Sequence, residues 1–178
     1  MIDKDNYLIE LLNFYEATFC QNNCLIETNY KELSLIQISF DANQLPHLLG
    51  FQKVNQAGGA RGVNNIRNKK VTLGTIEKHD RYHQIKPRIR GFTRLENMFQ
   101  FQGMEACLLK KDNKLPSKMN QDLDIILFDK ESRNRHVYVL GLSKAKNSNV
   151  YYPRTFFETK ENKYSHFRMT KIKNITWI

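Results

Sequence analysis

No stretch of this chain approaches the roughly 20 consecutive apolar residues that a membrane-spanning helix requires. The opening Met1-Ile2-Asp3-Lys4-Asp5 is acidic, unlike the basic start of a secretion signal. Cysteine is scarce. Cys20, Cys24 and Cys107 form an odd set, and no nearby histidine or further cysteine completes a tetrahedral zinc site around the first two. These absences predict a cytoplasmic protein with reduced thiols and no membrane association, with export by another route left open. The acids are scattered, and the pair Asp122 and Asp124 reads as a strand start with one side chain on each face. No metal and no cofactor are expected. Also missing are a glycine-rich phosphate loop ending in Lys-Ser/Thr, a Gly-x-Ser-x-Gly elbow and a His-Glu-x-x-His helix.

What is present is basic charge and enough apolar residues for a core. The 178 residues are 40% hydrophobic and 11% aromatic, which predicts a single domain over 1–178. The net charge of +10 is unevenly spread. Residues 1–45 hold two lysines against seven acids, whereas residues 61–94 hold ten Lys/Arg against Glu77 and Asp80. Such a block attracts a polyanion through phosphate contacts and counterion release. A solvated face with no partner is the plainer alternative.

Periodicity orders the elements. Leu8, Leu11, Leu12, Tyr15 and Phe19 recur at helical spacing, with Asp3 or Asp5 as the N-cap. Leu25–Thr28 and Leu35–Phe40 read as two strands. An Asp/Asn turn and a short helix with Pro46 in its first turn follow. That corner carries His47, at a place where a strand gives way to a helix and where a side chain commonly meets ligand. A histidine packed beside Leu45, Leu48 and Leu49 fits the same spacing. Asn55–Gly62 reads as a mobile loop, and Thr72 as a helix start with Ile76 buried behind it. Pro87–Phe101 reads as one helix with the stripe Ile89, Phe92, Leu95, Met98 and Phe99, and with Arg88, Arg90 and Arg94 on or beside the other face. Four strands are expected in the last third: Leu123–Phe128, His136–Leu142, Tyr151–Phe157 and Lys171–Ile178. Helices first and a meander afterwards give an α+β fold.

The side-chain inventory suits metal-free RNA cleavage. RNA supplies its own nucleophile, the 2′-OH. The protein need only move protons with a His or Lys, hold the phosphorane with Arg or Lys, and seat unstacked bases on aromatic rings. His79 and His83 lie at i,i+4 spacing, but Lys78 and Arg81 beside them argue for a charged patch over a metal site. His136 reads as a turn residue, and His166 carries no further signal.

The order Ile38-Ser39-Phe40, Leu45-Pro46-His47-Leu48-Leu49-Gly50-Phe51, Arg88-Ile89-x-x-Phe92-x-x-Leu95, Tyr152-Pro153-Arg154-Thr155-Phe156-Phe157 and Ile172-Lys173-Asn174-Ile175 resembles a phage-associated nuclease domain family of the barnase–EndoU–colicin–RelE-like superfamily. The motifs run from about residue 5 to residue 178. The resemblance implies N-terminal helices packed on a C-terminal four-stranded antiparallel sheet. It also implies metal-independent endoribonuclease activity in toxin or phage-conflict settings, on RNA such as tRNA, with delivery as a toxin domain and an immunity or antitoxin protein as partner. Carried over by position, His47 is the catalytic histidine, Arg88 the basic residue before the helix, and Thr155 the hydroxyl residue before the aromatic pair. Charge and spacing add Lys53, Arg61, Arg90, Arg94, Arg154 and Tyr152 as RNA-binding candidates. Strict alternation along 151–157 sets Tyr152, Arg154 and Phe156 on one face and Thr155 on the other, unless a bulge intervenes. A non-catalytic nucleic-acid-binding regulator using the 61–94 region is the alternative.

Overall fold

A computed structural model describes residues 3–100, 104–109, 123–129, 136–160 and 167–178. Contacts divide the chain into two compact units, one made of residues 1–22 and 40–92, the other of 23–39 and 93–178. His166, Asp122 and the charged turn after Asp129 lie outside the described residues.

The first unit is helical. Its helices are α1 (Tyr7–Phe19), α2 (Leu45–Leu48), α3 (Gly59–Arg67), α4 (Leu73–Glu77) and α5 (Lys86–Arg90). The five apolar residues read from the sequence are the buried residues of α1. Asn6 rather than Asp3 or Asp5 occupies the N-cap. Asp3 instead ties down the preceding turn, accepting from the backbone N–H groups of Asp5 and Asn6 and from the Asn6 amide. Tyr15, Phe19, Phe40 and Phe92 form an aromatic centre, with ring centroids 5.1–6.3 Å apart. Thr72 caps α4 through a reciprocal pair with Thr75, and Ile76 is buried behind it. The expected loop at 55–62 is half helix, because α3 already begins at Gly59, whose φ of +56° suits glycine. The expected helix 87–101 is broken: α5 is capped by Gly91 and α6 runs from Arg94 to Gln100.

The second unit is a closed barrel of seven described strands. These are β1 (Cys24–Thr28), β2 (Leu35–Ile38), β3 (Met104–Leu108), β4 (Ile125–Asp129), β5 (His136–Lys144), β6 (Val150–Lys160) and β7 (Met169–Trp177), in the order β1-β2-β6-β5-β4-β3-β7 and back to β1. All neighbours are antiparallel except β2 and β6, which pair in parallel through Gln37–Val150 and Ile38–Tyr151. This corrects the expected four-stranded antiparallel sheet under N-terminal helices. The four anticipated strands exist, but an open sheet would leave edges of unpaired N–H and C=O groups. The β1–β2 hairpin removes them, with β1 on β7 and β2 on β6. β3 was missed because Met-Glu-Ala-Cys-Leu is built largely of helix formers. Pairing with β4 on one side and β7 on the other overrides that preference.

β6 carries a bulge. Gly141 pairs with Thr155 and Leu142 with Pro153, so Arg154 is the extra residue. Alternation resets there, and Tyr152 lies on the same face as Thr155, contrary to strict alternation. Gly141 is needed opposite: a Cβ would meet Leu123 Cδ1 at 2.7 Å and Thr155 Cγ2 at 2.8 Å. Gly141→Ala is therefore expected to destabilise the protein by about 1–3 kcal/mol, read as a lower urea midpoint at unchanged slope.

Candidate functional site

The corner around His47 is made by two close approaches. Asp41 caps the 3₁₀ turn Ala42–Gln44 with a reciprocal Asp41–Gln44 pair, which aims the chain into α2 with Pro46 at its start. Helix α3 seats Gly62 on the Pro46 ring, so tightly that a Cβ would lie 2.8 Å from Pro46 Cγ. Helix α5 seats on Gly50, which has a φ of +83°. A Cβ there would lie 2.9 Å from Ile85 Cγ2, 3.4 Å from Arg88 Cδ and 3.7 Å from Arg88 Nε. The Gly50 N–H donates to the His47 carbonyl at 3.0 Å, and the Lys53 N–H donates to the Gly50 carbonyl at 2.9 Å. His47, Gly50 and Lys53 thus share one compact turn, with the Arg88 side chain against its Gly50.

Burial distinguishes these residues. Every residue from Leu45 to Phe51 is buried except His47, which is half-buried. Arg88 is buried, at 6% exposure, where the sequence had it on or beside the outer helix face. Burial lowers its pKa. Lys53 is half-buried, and its pKa is lowered first by burial and then by the Arg88 charge. A cation made easier to deprotonate beside a second, fixed cation suits an anion that also needs a proton.

Around this turn, Arg61 is exposed on α3, one residue before Gly62, and Arg90 is exposed at the end of α5. Of the ten cations between 61 and 94, eight are exposed, Lys86 is half-buried and Arg88 is buried. Arg67 is engaged locally by Glu16. His79, read from the sequence as part of a charged patch, lies near the Lys53 turn. It stands in the turn after α4, with Nε2 3.5 Å from the Asn55 amide at the end of the 3₁₀ turn Phe51–Val54 that carries Lys53. The Arg81 N–H donates to its Nδ1 at 3.1 Å. Because α4 ends at Glu77, His79 and His83 do not share a helix face.

The remaining candidates belong to the barrel unit. Arg94 is exposed on α6. Arg154 is exposed at the β6 bulge, Tyr152 is half-buried, and Thr155 is buried with its methyl over Gly141. Among the described residues no three His, Cys, Asp or Glu side chains gather as a metal-holding group. Asp124 accepts the Lys144 N–H at 2.6 Å. Burial pushes the Cys20 and Cys24 thiols up to about 12 and Cys107 to about 11. No described helix is long and apolar enough to cross a membrane.

The family model for phage-Barnase-EndoU-ColicinE5/D-RelE like nuclease 4 matches residues 8–178, and the chain belongs to that nuclease family. Its substrate class is accordingly nucleic acid. No curated protein and no solved structure matches the chain.

The neighbouring charges of Lys53 and Arg88 generate a test. Replacing Arg88 by Gln removes the cation that helps to depress the Lys53 pKa. That pKa is expected to rise, measured by the pH dependence of the Lys53 side-chain NMR signal in a variant with unchanged circular dichroism.

Proposed function

We propose that this nuclease is a metal-independent endoribonuclease that cleaves by 2′-OH transesterification, with His47 and Lys53 moving the protons and Arg88 stabilising the phosphorane. The observation that carries the reading is the His47 turn. Within a segment that is otherwise buried from Leu45 to Phe51, His47 is half-buried, in the same turn as Lys53, whose pKa is lowered, and as Gly50, against which the buried Arg88 side chain rests.

In this reaction His47 takes the proton from the 2′-OH, whose oxygen attacks the phosphorus. The bond to the 5′-oxygen breaks, and Lys53 protonates that leaving oxygen. The products are a 2′,3′-cyclic phosphate and a 5′-OH. A general acid works best when its pKa lies near the working pH, and burial beside Arg88 moves Lys53 in that direction. Arg88 acts as a preorganised charge in a poorly solvated setting, where such charges count for more than in water. Arg61 and Arg90 grip the phosphate backbone around the turn, and Arg94, Arg154 and Tyr152 are assigned to further RNA contacts. Thr155 stays in the reading as the residue placed by resemblance. Its role is separable from packing by Thr155→Val, which keeps the branched shape and removes the hydroxyl.

Cleavage of labelled RNA tests the proposal. Wild-type protein is expected to cut in the presence of chelator, to leave the cyclic phosphate, and to spare a substrate with 2′-deoxyribose at the cut site. His47→Ala is expected to lower the rate by about 10²–10⁴-fold. The alkaline limb of the rate should fall as pH rises through the lowered Lys53 pKa, because the acid is then lost, and should move to higher pH in Arg88→Gln. Salt-sensitive binding without cleavage would instead favour a nucleic-acid-binding regulator, and cleavage abolished by chelator would favour a metal enzyme.

A further inference from the structure

Strand β7 changes partner along its length. β3 pairs with β7 only through Met169–Lys171, and β1 takes over on the other side from Ile172 to Trp177. The side of β7 that faced β3 therefore continues past Lys171 without a strand among the described residues. A cleft of about 180 Å³ lies there, between this stretch and the end of α6. That is well below the volume of a drug-sized pocket and on the scale of one ring system.

Its lining is chemically specific. Phe99 and Met104, both buried, give it an apolar side, and Ile172 and Ile175 flank it on β7. The other contributors are Gln100, Lys173 and Asn174. Glu27 pairs with Asn174 and Thr28 with Ile172, so Lys173 is a bulge residue, and bulges re-aim side chains. The Gln100 amide donates to Glu96 Oε1 at 2.8 Å. A carboxylate only accepts, which fixes the orientation of that amide and turns its oxygen away from Glu96. The Asn174 amide donates to Thr176 Oγ1 at 3.2 Å, so its oxygen too is not the atom used there.

We propose that this cleft is a nucleobase subsite, receiving one base of the nucleic-acid substrate against Phe99 and Met104. The amide oxygens of Gln100 and Asn174 accept from an exocyclic amino group, and Lys173 meets the adjoining phosphate. Such a pair of acceptors favours the amino-bearing bases, adenine and cytosine as well as guanine, and repels the O4 acceptor of uracil. Lys171 and Lys173, both exposed, set the sign of charge that a nucleotide complements. The assignment rests on the nucleic-acid substrate of the family and is independent of the chemistry assigned to His47.

Trp177 is the chain's one tryptophan and packs on Phe99 with centroids 5.7 Å apart, so its fluorescence reports on the cleft. Titration of the whole chain with AMP and CMP is expected to change that emission saturably. UMP should bind about tenfold more weakly, and ribose 5-phosphate should give no response. Lys173→Ala and Asn174→Ala alter exposed residues, leave the fold intact by circular dichroism, and should each weaken AMP binding about tenfold. An equal response to ribose 5-phosphate, UMP binding as tightly as AMP, or unchanged binding in both variants would each overturn the assignment. So would saturation by an extended peptide while nucleotides stay inert. His47→Ala protein that cuts no RNA yet titrates normally with AMP keeps this subsite distinct from the cleavage reading.

Discussion

Gly50 holds a left-handed backbone with Ile85 crowding the place where a Cβ would stand and Arg88 in contact beside it, and Gly62 makes a closer approach still to the Ala57 carbonyl and the Pro46 ring. These two contacts remove any slack from the segment between strand β2 and the 3₁₀ turn at Phe51. Side chains larger than hydrogen at either place would push α3 or α5 outward. The imidazole of His47 is left partly open because everything around it in the chain is used for packing.

The charges follow from that packing. Arg88 is buried because the helix that carries it must press on Gly50, and its burial brings a fixed cation close to Lys53. Two like charges held near each other in a half-buried place weaken the empty protein. On the reading proposed above, a phosphate held between them would relieve that repulsion, and such a ligand would stabilise the folded chain by an amount that grows with the logarithm of its concentration above the dissociation constant.

Much of this was legible locally. The stripe of α1, the Thr72 cap with Ile76, the Pro46 helix and the four C-terminal strands all follow from residue spacing and capping chemistry. What was not legible depends on partners far along the chain. Closure needs β1 against β7, a pairing across some 150 positions that no local period records. β3 has helix-forming residues and becomes a strand only between two others. The continuous stripe from Ile89 to Phe99 concealed the break at Gly91, since all its members are buried on both sides of it. Among the site candidates, the shared turn of His47 and Lys53 follows from their spacing. The burial of Arg88 and the approach of His79 to Asn55 depend on how the helices of that unit pack.

The threading of the barrel has a kinetic consequence. Residues 23–39 are made well before the strands that pair with this hairpin, β6 and β7, which comprise residues 150–160 and 169–177. Until those are made, the outer edges of this two-stranded hairpin must wait unpaired while more than a hundred residues are added. Contacts so distant in sequence make folding slow. Waiting edges invite pairing with other chains. A fragment ending after Phe92 would keep every segment of the helical unit and still carry that hairpin without its barrel, so aggregation, rather than loss of helix, is its natural failure.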